Sequence, residues 1–176
     1  MQLTGAVSVK THGTSGNFAL PLVLGPAGSG TVEPRAGGPT QVVFTFSDNI
    51  AAADGTISAN EFTITNATFS SASISGNELT LNLSGVVDQS VVSITLSGLN
   101  STGGAPLSGD NYVEIRALLA DANQDQAVDR ADLMFLRPHQ GESVDNSNFV
   151  LDLDLDGFIG LGDRRLVGRN KLHTVP

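Results

Sequence analysis

The sequence has no cysteine and no tryptophan, and only nine Lys and Arg among 176 residues. Without cysteine no disulfide can staple the fold. A small part of it would have to be held by metal, by packing on a neighbour, or by both. Missing thiols leave the redox compartment open, since many secreted domains avoid them. The formal net charge of −9 disfavours nucleic-acid binding, because neutralising phosphates takes clustered Lys and Arg. Aromatics are sparse, with eight Phe and one Tyr. Sugar platforms stack on flat Trp and Tyr faces, so this counts against glycan binding. No apolar run approaches the roughly 20 residues that span a bilayer, and no membrane insertion is expected. Met1 leads into a polar, strand-like stretch and not into a basic then apolar leader, so the chain is expected to be a piece of a longer precursor.

The charge that is present is unevenly placed. Residues 1–120 hold eight acidic and three basic side chains, whereas residues 121–176 hold ten acidic and six basic. Most acids of the second part fall in two short clusters. Two divalent cations would cancel its net charge of −4, so these carboxylates read as ligands and not as a solubilising coat.

Residues 1–119 are mainly β in pattern. Val42, Phe44 and Phe46 alternate with Val43 and Thr45. Leu79, Leu81 and Leu83 follow the same period of two, as do Val92, Ile94 and Leu96, and Val113, Ile115 and Ala117. That period marks strands with one buried face. Segments 4–10 and 17–24 are apolar, and segments 61–65 and 67–74 are expected to pair around Asn66. Turn signals such as Gly25-Pro26, Asp54-Gly55 and Ser75-Gly76-Asn77 separate the runs. Seven to nine short strands of this kind suggest a Greek-key β-sandwich. The composition shifts after Leu119, and residues 120–176 form a second, small helical part. The missing linker predicts a packed junction.

The second part is built on a repeat: DANQDQAVDRAD at 121–132 and DLDLDGFIGLGD at 152–163, with starts 31 residues apart. A hard cation such as calcium takes six to eight oxygen ligands. One loop supplies them from positions 1, 3, 5, 9 and 12, with a backbone carbonyl at position 7. The first loop offers Asp121, Asn123, Asp125, Asp129 and Asp132, with Ala127 at the carbonyl position. The second offers Asp152, Asp154, Asp156 and Asp163, with Phe158 at the carbonyl position and Gly160 at the water-completed position 9. Position 8, which pins the loop to a core, is Val128 in one and Ile159 in the other. The bland alternative is a pair of Asp-rich turns, each Asp capping its own backbone. Such caps need no five-position register repeated in tandem.

An all-oxygen ligand set argues against zinc and copper, and the demand of magnesium for a rigid octahedron makes calcium the better fit, with two ions per chain. The loops differ at position 6, where a sharp turn with positive φ is needed. Loop two has Gly157 there. Loop one has Gln126, at a cost of about 1–2 kcal/mol.

This tandem resembles a type I dockerin, a module whose two half EF-hands each consist of a calcium loop and one following helix. Position 12 is Asp in both loops, as dockerins have it, and the stretch NFVLDLDLDG resembles the segment between dockerin repeats. The resemblance covers about 50 residues. The whole chain resembles an Ig-like β-sandwich followed by a dockerin, a pair found at the ends of large secreted bacterial proteins. The resemblance implies an extracellular or cell-surface setting, a cohesin-like partner domain, a role in attaching polysaccharide-degrading enzymes, and a monomeric chain. In the family, cohesin is read at repeat positions 10 and 11, often Ser-Thr, and at 17 and 18, often Lys-Arg. Here these are Arg130-Ala131 and Leu161-Gly162, then Arg137-Pro138 and Gly168-Arg169, so partner specificity does not carry over. Pro138 and Gly168 are expected to end the two helices.

Other motifs offer less. Residues 54–62 copy the back half of a calcium loop, but Ile50 and Ala52 stand where oxygen ligands belong, and a β-turn is the better reading. His12, His139 and His173 lie apart in sequence, and a lone His is usually a satisfied polar residue. Glu33 and Arg35 flank Pro34 and can pair, for about 0–1 kcal/mol if exposed. No two acids of the β half are marked as a glycosidase pair. The expected function is therefore non-enzymatic: calcium-dependent docking, with an intramolecular calcium-stabilised structural or sorting domain and a carbohydrate-binding sandwich as alternatives.

Overall fold

The computed structural model describes residues 1–175. The chain is mainly β and opens with two strands, β1 (Leu3–His12) and β2 (Gly16–Pro21), joined by a tight turn. Next come β3 (Thr31–Glu33), β4 (Gln41–Phe46), β5 (Ile50–Ala52) and β6 (Phe62–Thr65). Then follow β7 (Thr68–Ser75), β8 (Glu78–Ser84), β9 (Ser90–Leu96), β10 (Leu99–Ser101) and β11 (Tyr112–Ala117). One sheet has the order β2-β1-β4-β8-β7 and another β3-β11-β9-β6, while β5 and β10 form a small ribbon. β3 joins β11 in parallel, and the other pairings are antiparallel.

The period-two runs explain the layering. Phe44, Phe46, Leu79 and Leu81 of the first sheet and Val92, Ile94, Leu96, Val113 and Ile115 of the second all lie in one hydrophobic core. These residues share one side of each strand, so a one-residue slip would turn the set away from this core.

The pairing expected around Asn66 does not form. β6 pairs with β9, while β7 pairs with β8 in the other sheet. Asn66, at φ 58°, lies where the chain passes between sheets, and Phe62 and Phe69 contact each other with centroids 5.6 Å apart. Burying both rings in one core outweighs the local hairpin. The half-motif at 54–62 is a turn followed by a 3-10 turn at Ala59–Glu61. There Glu61 accepts hydrogen bonds from the backbone N–H and the hydroxyl of Ser58, which occupies its carboxylate as a cap.

The remainder carries α1 (Arg130–Leu136) and α2 (Leu161–Arg169). α1 tightens into a 3-10 turn at Arg137–His139, where Pro138 cannot donate to the α ladder. Gly168, by contrast, lies inside α2 and does not end it. The helix stops at Asn170, whose backbone and side-chain N–H groups both donate to the Leu166 carbonyl. The chain then turns at Leu172, with φ 73°.

A second core gathers Ala122, Val128, Leu136, Leu153, Ile159 and Val167 from this part, together with Val32 and Leu118 from the β half. The Leu118 N–H donates to the Glu33 carbonyl and the Ala120 N–H to the Pro34 carbonyl, so the chain enters the tail as a continuation of the sheet edge. Phe135 of α1 is half exposed. Phe149 is at the junction, stacked on Phe18 of β2 at 5.6 Å between centroids.

Candidate metal centre

The two loops fold alike, position by position. The position 1 carboxylate accepts from the backbone N–H groups of positions 5 and 6: Asp121 from Asp125 and Gln126, Asp152 from Asp156 and Gly157. The position 3 side-chain oxygen accepts from position 5, as Asn123 does from Asp125 and Asp154 from Asp156. Position 5 accepts from position 7, as Asp125 does from Ala127 and Asp156 from Phe158. Position 12 ties the helix back to the loop. Asp132 accepts from the N–H groups of Asn123 and Asp129, and Asp163 from those of Leu153, Asp154 and Gly160.

The backbone repeats as well. Position 4 has φ 60° at Gln124 and 65° at Leu155, and position 6 has φ 76° at Gln126 and 95° at Gly157. Gln126 therefore takes the left-handed conformation without a glycine, which sets it against its own Cβ. In both loops positions 1 and 12 are buried and position 5 is exposed. Val128 and Ile159 at position 8 lie in the second core.

The loops are also held crosswise. Loop one pairs through Ala127 with Thr174, after α2, and loop two through Phe158 with Ser143, after α1. Each helix thus delivers its trailing segment to the other loop. Asp129 departs from the simple ligand list. It caps α1 by accepting the Ala131 N–H, so its carboxylate is shared with the helix terminus. Gly160 has no side chain to do either.

The donor set fits a hard cation. Asp152, Asp154 and Asp156 each offer an oxygen, and the three lie within 4.8 Å of one another. Asn123 in place of an acid makes the first loop less negative at the same point. Burial, aided by neighbouring acids, pushes Asp121 up to about 7 and Asp154 up to about 6. It also raises Asp132 and Asp163 above the usual carboxylate range. Among the described residues no Lys or Arg side chain forms an ion pair with these carboxylates. The loops are short of positive charge, the lack that an oxygen-ligated cation fills.

Loop two has a feature that loop one lacks. His12, at the end of β1, places Nδ1 at 2.8 Å from Asp152 Oδ2, and both side chains are fully buried. Arg35 Nη1 approaches His12 Nε2 at 3.3 Å. A guanidinium only donates, so Nε2 is the acceptor and Nδ1–H donates to Asp152. Arg35 in turn makes a bidentate pair with Glu33, with Nε and Nη2 each at 2.7 Å from a carboxylate oxygen. It also donates to the Ser8 and Phe18 carbonyls and lies 5.3 Å above the Phe149 ring. The pair expected between Glu33 and Arg35 is thus present, and it is buried. Sequence spacing carried no sign of the link to Asp152, 140 positions from His12.

Comparison with protein-family models, with curated proteins and with solved structures finds no match to this chain.

Proposed function

We propose that the chain is a calcium-binding, dockerin-like module carried on an Ig-like β-sandwich, at work outside a bacterial cell or on its surface. The observation that carries this reading is the hydrogen-bond scheme shared by residues 121–132 and 152–163, in which the side chains at positions 1, 3, 5 and 12 repeat in register. Asp121, Asn123, Asp125, Ala127, Asp129 and Asp132 would hold one ion, and Asp152, Asp154, Asp156, Phe158 and Asp163 the other. Calcium supplies the positive charge that the buried carboxylates lack. Binding is then folding energy for a small core. With a dissociation constant near 1 μM and about 1 mM calcium outside the cell, each site adds roughly 4 kcal/mol.

Docking to a cohesin-like domain is supported by apolar side chains left in water on the two helices: Met134 and Phe135 on α1, and Leu161 on α2. The junction favours a second reading, an intramolecular calcium clamp that fastens the tail to the β half, through the Phe18–Phe149 stack and the His12–Asp152 bond. Chelation tests the calcium reading common to both. Amide exchange in excess chelator is expected to open residues 120–175 while the strands of the first core stay protected. Unchanged protection throughout would overturn it. Phe135→Ser with Leu161→Ser separates the two uses: docking loses its partner, and a clamp keeps its stability.

A further inference from the structure

We propose that His12, the last residue of β1, is a positioning residue for the cation site of loop two, so that this side chain sets the affinity of that loop and not of loop one. The inference rests on the calcium reading above. Asp152 Oδ2 receives two donors, the Gly157 N–H and the His12 ring, while Oδ1 receives only the Asp156 N–H. The carboxylate is fixed in rotation, with Oδ1 the oxygen left for a cation. Asp121 in loop one has the two backbone donors and no ring.

His12 is itself immobilised. Arg35 holds Nε2, Phe18 and Phe149 stand edge-on to the ring at 5.2 and 6.3 Å, and the Glu33 carboxylate and the Ser8 and Phe18 carbonyls use the remaining Arg35 donors. Burying five polar side chains (Ser8, His12, Glu33, Arg35 and Asp152) is costly unless every one is partnered, and no buried side-chain polar atom among the described residues lacks a partner. The β1–β2 turn adds a backbone seat. Gly13 N–H donates to the Leu155 carbonyl at 2.8 Å, and the Ala36 N–H to the Leu153 carbonyl at 2.8 Å. Gly13, at φ 48°, packs so closely on Asp156 that a Cβ would collide with its carbonyl oxygen. Partners that orient a metal ligand are worth roughly 10–100-fold in affinity.

The test is a calcium titration of the full chain, followed by NMR at the Gln126 and Gly157 amides, one in each loop. His12→Phe fills the volume and removes both hydrogen bonds. The Gly157 transition is expected to weaken by about 10–100-fold while the Gln126 transition stays in place. His12→Asn, which keeps a donor near the Nδ1 position, is expected to recover most of the loss. Unchanged affinity at Gly157, or equal weakening at both amides, overturns the inference. Gly13→Ala, on an exposed turn, gives the same selective weakening by lifting the turn from loop two. It decides the matter if His12→Phe does not fold, and a Gly157 transition that it leaves unmoved overturns the inference. A parent chain in which neither amide responds to calcium removes the calcium reading itself, and this inference with it.

Discussion

His12 Nδ1 donates to Asp152 Oδ2 across 2.8 Å, joining the last residue of β1 to the first residue of the second acidic loop. Through that bond the β half and the tail are tied by polar chemistry as well as by the apolar packing of the second core. The Arg35–Glu33 pair behind it has no exposed side-chain surface, and its desolvation is offset only while both partners are present.

Arg35→Met is therefore expected to destabilise the chain by about 3–5 kcal/mol, because it leaves Glu33 as an uncompensated buried charge. Denaturant unfolding of the variant against the parent, both in calcium, measures this. A change within about 0.5 kcal/mol would mean that the network relaxes around the loss.

Gln126→Gly is expected to stabilise the chain by about 1 kcal/mol, since Gln126 sits at φ 76° and a glycine there has no Cβ to strain. The matching change in loop two, Gly157→Ala, is expected to destabilise. Its φ is 95°, and a Cβ would press on Ser15 Oγ at 3.0 Å and the His12 carbonyl oxygen at 3.2 Å. Thermal unfolding of both variants is the check, with opposite shifts expected.

Much of this was legible in the sequence, and the limits are physical. Period-two runs at 42–46, 79–83 and 92–96 mark strands because one face is buried, and the five-position register of the loops marks turns that wrap their own carboxylates. Partner choice is another matter. Asn66 sits between two strand patterns and suits a hairpin, yet burial of Phe62 and Phe69 sends the strands to different sheets. Gly168 suits a helix stop, yet Asn170 supplies the cap. β3 is three residues long and found its place only by pairing in parallel with β11. His12 and Arg35 lie in unremarkable local contexts, and their meaning comes from long-range packing that no spacing encodes.

The metal-free chain is expected to lose stability as pH rises from about 4 to about 7. Asp121, Asp132, Asp154 and Asp163 all have folded values above the ordinary carboxylate, with Asp121 up to about 7 and Asp154 up to about 6. In that window the folded state holds more protons than the unfolded one, so each rise in pH favours unfolding. Glu142 and Asp145 are shifted the other way by hydrogen bonds from His139 and Ser147, and their contribution is lost only on further acidification. Calcium should flatten the decline by replacing the protons. Melting of the metal-stripped chain across this range, with and without calcium, is the measurement. A metal-free chain that grows more stable toward pH 7 would contradict the charge deficit assigned to the loops.

The central claim is that the two loops each hold one calcium ion. Calorimetric titration of the metal-stripped full chain tests it directly. Two ions per chain are expected, falling to one in either Asp121→Ala or Asp152→Ala and to none in the double variant. A parent that shows no saturable calcium binding, or a double variant that still takes up two ions, would contradict the account.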